Sequence, residues 1–209
     1  MCECFTNEAL DALRSDLAAT LSPHRYAHTC GVEHMTARLA RLFCPERERE
    51  LRVAALLHDL TKEYSDEEQQ AVLSANGVTL RSDEARAPKI WHAMTAAWEI
   101  PLRYPAFATP TVLAAVRWHT TGRAGMSTEE ILVYLADLIE EGRDHPPLAA
   151  LRRQFFGAAP EALSPEARMR LLHEVLQASL RATLLRLGED ACADTRAALE
   201  YENDFLKGK

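Results

Sequence analysis

The chain has 209 residues, 47% apolar and 26% charged, with 24 basic against 31 acidic side chains and a formal charge of −7. That length suits one core-bearing domain of about 100–200 residues, and the apolar fraction excludes a disordered chain. The acidic balance excludes broad nucleic-acid binding, which needs a basic surface, but leaves room for a small polyanion in a locally positive pocket.

Taken in chain order, the apolar spacing is helical nearly throughout. Residues 1–10 have no basic and no long apolar segment, so no signal peptide and a cytoplasmic location are expected. Thr6 can cap a helix running to about Ala19. Ser22 followed by Pro23 is an N-cap with proline at the first helical position, for a helix to about Phe43. Pro45 opens the next, ending near Asp59 to Lys62. Ser65 with Glu68 makes a capping box, and Asn76-Gly77 ends that short helix. Pro88 starts a helix to about Ile100; Pro101 and Pro105 mark a loop. Thr109-Pro110 starts another, stopped at Gly122. Ser127 with Glu130 is a second capping box, for a helix to about Glu141. Pro146-Pro147 marks a turn before a short helix. Ser164-Pro165 opens a long helix to Leu187, ended by Gly188, and a last helix covers about Asp194 to Leu206.

No segment alternates as a strand does, and no apolar run approaches the ~20 residues of a membrane span. An all-α fold is therefore expected. Its units are an N-terminal helix (1–20), a core (21–160) and C-terminal helices (161–209) that complete the bundle or form an interface. Five cysteines, Cys2, Cys4, Cys30, Cys44 and Cys192, make an odd set without a C-x-x-C pair, which reads as reduced thiols. Cys2 and Cys4 lack partners at zinc-finger spacing.

Chemistry is concentrated in a few ionisable residues on apolar helices. His58 and Asp59 follow the apolar stretch 53–57, and Asp137 interrupts the apolar stretch 131–139. Burying such groups costs several kcal/mol unless they are paired or metal-bound. His28, His92 and His119 occupy similar settings. These six lie on five helical segments, and mixed imidazole and carboxylate donors suit zinc, iron or manganese. Six ligands fit one octahedral ion or two ions sharing a carboxylate. His24 is four residues from His28, while His34, His145 and His173 have no partner at useful spacing. Trp91, Trp98 and Trp118 could stack on a purine, although Trp91 and Trp118 flank proposed ligands on amphipathic helices and read as core.

His28, then His58-Asp59 with Lys62 three residues on, then Asp137, resembles the HD-domain metal phosphohydrolase superfamily. The segments RYAHTCGV (25–32), AALLHDLTK (54–62), AVRWHTTGRAGMS (115–127) and YLADLIE (134–140) look like the YqeK family of bacterial symmetrical bis(5'-nucleosyl)-tetraphosphatases. The resemblance covers about Leu21 to Leu187, and Trp-His-Thr-Thr-Gly-Arg is its most discriminating part. Two departures stand out: Ala93 follows His92 where the family usually has Gly, and Glu140-Glu141-Gly142-Arg143 replaces its usual Glu-Pro.

The resemblance implies an HD-domain helical bundle that hydrolyses diadenosine tetraphosphate to two ADP with a metal-activated water. Carried over, the metal ligands are His28, His58, Asp59 and Asp137, with iron the expected ion and manganese, cobalt or zinc the alternatives. His92 and His119 face the phosphates or hold a second metal. Catalysis falls to Asp59, Lys62, His92 and His119. Phosphate contacts fall to Arg25, His28, Lys62, His92, Arg117, His119, Thr120, Thr121, Gly122, Arg123 and Arg143. Glu63 has no assigned role, and His24 lies outside the ligand set. Two other readings stay open: a phosphohydrolase for a deoxynucleoside monophosphate or guanosine polyphosphate, and a non-catalytic nucleotide-sensing module. The expected partner is a dinucleoside polyphosphate, not a nucleic acid or a membrane, and the apolar C-terminal helices would suit a homodimer.

Overall fold

The computed structural model describes residues 4–208; Cys2 lies outside them. Among the described residues every regular element is helical. The eleven α-helices are α1 (Asn7–Thr20), α2 (Pro23–Phe43), α3 (Glu48–Leu57), α4 (Asp66–Ala75), α5 (Ser82–Ala85), α6 (Trp91–Arg103), α7 (Pro110–Trp118), α8 (Thr128–Ile139), α9 (Pro146–Gly157), α10 (Pro165–Leu187) and α11 (Ala193–Leu206). Among the described residues no helix is long and apolar enough to cross a membrane.

Most helix starts use the caps that the sequence spells out. The hydroxyls of Thr6, Ser22, Ser65, Thr109, Ser127 and Ser164 each accept an N–H from the first turn that follows. Ser65 and Ser127 complete capping boxes with Glu68 and Glu130. Each such cap stabilises its helix by about 1 kcal/mol. Ser22 has a further partner, since its N–H and hydroxyl both donate to Glu63. Glu63 thus fastens the start of α2 to the turn after α3.

The core is organised around α3. Leu51, Val53, Ala54, Ala55, Leu56 and Leu57 are all fully buried, the pattern of a helix enclosed on every side. Helices α1, α2, α7 and α8 enclose it. Each large side chain there contributes about 1.5–3 kcal/mol by leaving water. Helix α6 packs on α7, α9 on α8, and α10 on α9 and α11. Leu172, Val175, Leu176 and Leu180 of α10 join the same apolar cluster as α3. A buried ion triad ties the first three helices. Glu33 of α2 accepts from Arg14 Nε at 2.8 Å and from Arg52 Nε at 2.9 Å.

Three local expectations are corrected. Pro101 does not break the chain: α6 continues through it to Arg103. A proline one turn from a helix end frees only one carbonyl, and the exposed position lets water satisfy it. Helix α7 stops at Trp118 rather than Gly122. The turn that follows closes when Gly122 N–H donates to Trp118 O at 2.9 Å with φ at +64°, a conformation glycine adopts without a Cβ clash. Finally, the Ser82–Ala85 turn is helical where the sequence suggested no element.

Candidate metal centre

Helix ends build the site. His58 sits one residue past α3 and His119 one residue past α7. Carbonyls at a helix C-terminus lack an intrahelical partner. Here His58 Nδ1 lies 2.6 Å from Ala55 O and His119 Nδ1 lies 2.7 Å from Val116 O. Both rings are therefore placed to donate Nδ1–H backwards, which turns the Nε2 edge of each to the interior. Asp59 and Lys62 lie in the turn after α3. His28 comes from the second turn of α2, His92 from the first turn of α6, and Asp137 from the last turn of α8.

The structure brings all six candidate ligands into one cluster. His28 Nε2 is 3.0 Å from Asp137 Oδ1 and 3.8 Å from Asp59 Oδ2. His58 Nε2 is 3.5 Å from Asp59 Oδ2 and 3.9 Å from Asp137 Oδ1. The other Asp59 oxygen, Oδ1, faces His92 Nε2 at 3.2 Å and His119 Nε2 at 3.7 Å. Asp59 thus sits between two pairs of imidazoles. Donor atoms of His28, His58 and Asp137, and likewise of His58, Asp59 and His119, lie within 4.8 Å of one another.

A metal ion fits this arrangement. His58 Nε2 is fully buried and has no hydrogen-bond partner, and a buried polar atom left unpaired costs about 1–3 kcal/mol. It points between two carboxylates, so a cation there would satisfy all three groups. The electrostatics agree. Burial opposes ionisation of Asp59, yet the imidazoles around it, His58 foremost and then His119 and His92, hold it well below the usual carboxylate range. Asp137 is likewise depressed against its burial, by its contact with His28, by the nearby His58 and by the charge of Arg143. Burial pushes His92 down to about 4, so it is neutral near pH 7. Histidine and aspartate oxygens suit a divalent transition metal.

Four further expected residues border the cluster. Arg25 Nη1 donates to Asp59 Oδ2 at 2.5 Å, and Arg143 Nη2 donates to Asp137 Oδ1 at 2.5 Å. Lys62 Nζ stands 3.2 Å from each ring nitrogen of His92, with burial lowering its pKa. Thr120 Oγ1 lies 3.0 Å from His119 Nε2 and 3.3 Å from His92 Nε2.

The remaining expected phosphate contacts have partners elsewhere. Arg117 lies 3.6 Å from the buried Glu84 and stacks over Trp118. Arg123 makes a two-pronged contact with Glu130, the capping residue of α8, at 2.9 and 2.8 Å. Thr121 Oγ1 donates to Gly122 O, and Thr121 O accepts from Thr195. A Cβ on Gly122 would meet Met126, Ala198 and Leu180, so that glycine serves packing against α10 and α11. His24, His34 and His145 are exposed. His173 is buried and pairs with Glu202 of α11 at 2.7 Å, a partner 29 residues away that no local spacing announces. Trp91 is core, its indole N–H bonded to Glu84 O at 2.8 Å, while Trp98 is exposed.

One residue that sequence reasoning left without a role stands directly behind the cluster. Glu140 is buried and its Oε1 lies 3.3 Å from His28 Nδ1. The contact spans 112 residues, so helical periodicity carries no sign of it.

Comparison with known proteins places this geometry in a family. The sequence model of the HD domain matches residues 25–142, a span that contains all six clustered ligands. A symmetrical bis(5'-nucleosyl)-tetraphosphatase from Bacillus subtilis is 32% identical over 133 residues, covering 64% of this chain and 70% of that protein. The protein of the same name from Halalkalibacterium halodurans is 31% identical over 134 residues, with the same coverage of 64% and 70%. A crystal structure from Clostridium acetobutylicum, described as a predicted HD superfamily hydrolase involved in NAD metabolism, superposes with a TM-score of 0.79 at 27% identity. That similarity covers 93% of this chain and 97% of the other. With its ligand pattern, its helical scaffold and these relatives in agreement, the chain belongs to the HD domain family.

Proposed function

We propose that this chain hydrolyses diadenosine tetraphosphate symmetrically to two ADP. The observation that carries the reading is the buried histidine–aspartate cluster, with His58 Nε2 unpartnered between two carboxylates and basic side chains at its border. A bound divalent ion supplies two things to such a reaction: it lowers the pKa of a water toward neutrality and polarises a phosphoryl oxygen. His28, His58, Asp59 and Asp137 would hold that ion, and iron is the metal we propose. His92 and His119, on the far oxygen of Asp59, would hold a second ion or face the phosphates.

The rest of the chemistry belongs to the border residues. The tetraphosphate carries several negative charges, and Arg25, Lys62 and Arg143 supply cationic donors next to the cluster. Arginine matches phosphate oxygens in a forked geometry, while lysine acts as a point charge. Thr120 adds a hydroxyl. Water adds to one of the two central phosphorus atoms, and the bond from that phosphorus to the central bridging oxygen breaks. One ADP leaves on the bridging oxygen and the other carries the oxygen of water. Lys62 is the charged group available to neutralise the departing oxygen, and the neutral His92 can offer it a hydrogen bond but no acidic proton near pH 7. Arg117, Thr121, Gly122 and Arg123 are assigned to the fold around the site. The domain reading follows the same line: a core of 21–160, with 1–20 and 161–209 packed upon it, acting in the cytoplasm, with the C-terminal helices as the face for a homodimer.

The test is an assay of anaerobically purified protein with diadenosine tetraphosphate, products resolved by chromatography. ADP as the sole nucleotide product is expected. ATP with AMP would overturn the symmetrical assignment. Turnover confined to a deoxynucleoside monophosphate or a guanosine polyphosphate would overturn the substrate.

A further inference from the structure

Three histidines of the cluster have their Nδ1 edge engaged by an acceptor, but by different means. His58 and His119 use the carbonyl three residues back on their own helices. His28 lies in the second turn of α2, where the preceding carbonyls are occupied by the helix. Its Nδ1 instead faces Glu140 Oε1 at 3.3 Å. Glu140 itself is closely held. Its Oε2 accepts from Gly142 N–H at 2.5 Å, and its backbone carbonyl accepts from Arg152 Nη1 at 2.5 Å.

Two glycines make room for this carboxylate. A Cβ on Gly31 would lie 2.6 Å from Glu140 Oε2, and a Cβ on Gly142 would lie 3.0 Å from the same atom. Gly31 is in the interior of α2, where glycine is unfavourable to the helix and alanine is the better residue. Nothing in the backbone of α2 requires it, since its φ is not positive. The carboxylate beside it does.

We propose that Glu140 is a positioning residue for His28: it accepts Nδ1–H, so that Nε2 is the edge turned to a metal ion beside Asp137 and Asp59, and Gly31 is glycine to admit it. The proposal rests on the metal reading above. A carboxylate behind a metal-ligating histidine fixes both ring tautomer and ring orientation, and its loss typically weakens metal binding 10–100-fold, about that range of effect being general.

The experiment compares wild-type protein with Glu140→Ala, Glu140→Gln and Gly31→Ala. Gly31→Ala leaves every charge in place and favours helix formation, so it moves the carboxylate without removing a helix contact. In metal-free protein labelled with 15N-histidine, NMR reads which nitrogen of His28 carries the proton. Wild type is expected to hold the Nδ1–H form, and Glu140→Ala and Gly31→Ala to lose it. Glu140→Gln, whose amide oxygen can still accept, is expected to keep it. Titration with cobalt(II) alone should then give binding about 10–100-fold weaker for Glu140→Ala, weaker to a lesser degree for Gly31→Ala, and largely restored in Glu140→Gln. An unchanged His28 tautomer and unchanged cobalt affinity in both Glu140→Ala and Gly31→Ala would overturn the proposal. Wild-type protein that binds no metal would contradict the metal reading, and the tautomer of His28 in that same sample would still decide the role of Glu140.

Discussion

Helix α2 carries two buried charge clusters, five residues apart, and they are built in opposite ways. Glu33 is enclosed by Arg14 and Arg52, and both its oxygens accept from guanidinium groups. Burial would raise its pKa, yet those hydrogen bonds hold it lower than usual. That triad is complete. At His28 the same helix faces two carboxylates, Asp59 and Asp137, across imidazoles whose Nε2 edges all turn toward them. The guanidiniums of Arg25 and Arg143 reach one oxygen of each carboxylate, and His58 Nε2 is still left with nothing. A closed ion triad serves the fold, whereas an assembly of acceptors with an unpaired member is built to receive a cation.

The sharpest way to break that contrast is to remove one member from each side. Asp59→Ala should abolish turnover, by at least about a thousandfold, because an ion in such a site supplies several kcal/mol of transition-state stabilisation. Steady-state kinetics with saturating metal checks this. Glu33→Ala should instead cost stability, about 3–5 kcal/mol, because it strands two arginines against the core. Thermal or denaturant unfolding measures it, and metal content should be unchanged in the folded fraction.

Acid weakens the Glu33 triad. The folded pKa of Glu33 is depressed, so its contribution is fully present above the unfolded glutamate value of about 4.3 and is lost as pH falls from there through the lower folded value. Glu33→Gln should flatten that part of the stability curve. Metal titration sharpens the comparison from the other side. At a thousandfold excess over Kd, a divalent ion should raise the stability of wild type by about 4 kcal/mol. Glu33→Ala should show the same rise from a lower base, while Asp59→Ala should show none.

Smaller effects sort the border residues. Thr120→Val keeps the shape and removes the hydroxyl beside His92 and His119. A fall of roughly fivefold in kcat/KM is expected from one lost hydrogen bond of about 1 kcal/mol. Arg123→Ala should leave kcat/KM within about twofold and lower stability by about 1 kcal/mol or less, the ordinary value of a half-exposed ion pair, because its partner is Glu130 and not the cluster. An Arg123→Ala enzyme with a much higher KM would return that residue to the substrate.

What was legible in the sequence follows how far each signal travels along the chain. Caps are local, so Ser22-Pro23, Ser65 with Glu68, and Ser164-Pro165 placed helix starts correctly. Ligands on apolar helices are also readable, because a histidine or aspartate inside an apolar run has to be explained by something buried with it. That logic assembled His28, His58, Asp59, His92, His119 and Asp137. It did not separate Arg25 and Arg143, which reach the cluster, from Arg117 and Arg123, which turn to Glu84 and Glu130. All four stand close to ligands in sequence, and only the direction of each side chain decides. Glu140 was invisible for the opposite reason. Its partner lies 112 residues away, and its one sequence trace is Gly31, a residue unsuited to the middle of a helix.

The central claim is that the open cluster holds a transition metal while the closed one is complete without it. Elemental analysis of anaerobically purified native protein, wild type against Asp59→Ala, tests it most directly. The account predicts at least one transition-metal ion per wild-type chain, iron foremost, and none retained by a folded Asp59→Ala. A wild-type chain that folds and turns over diadenosine tetraphosphate with no bound metal would contradict it.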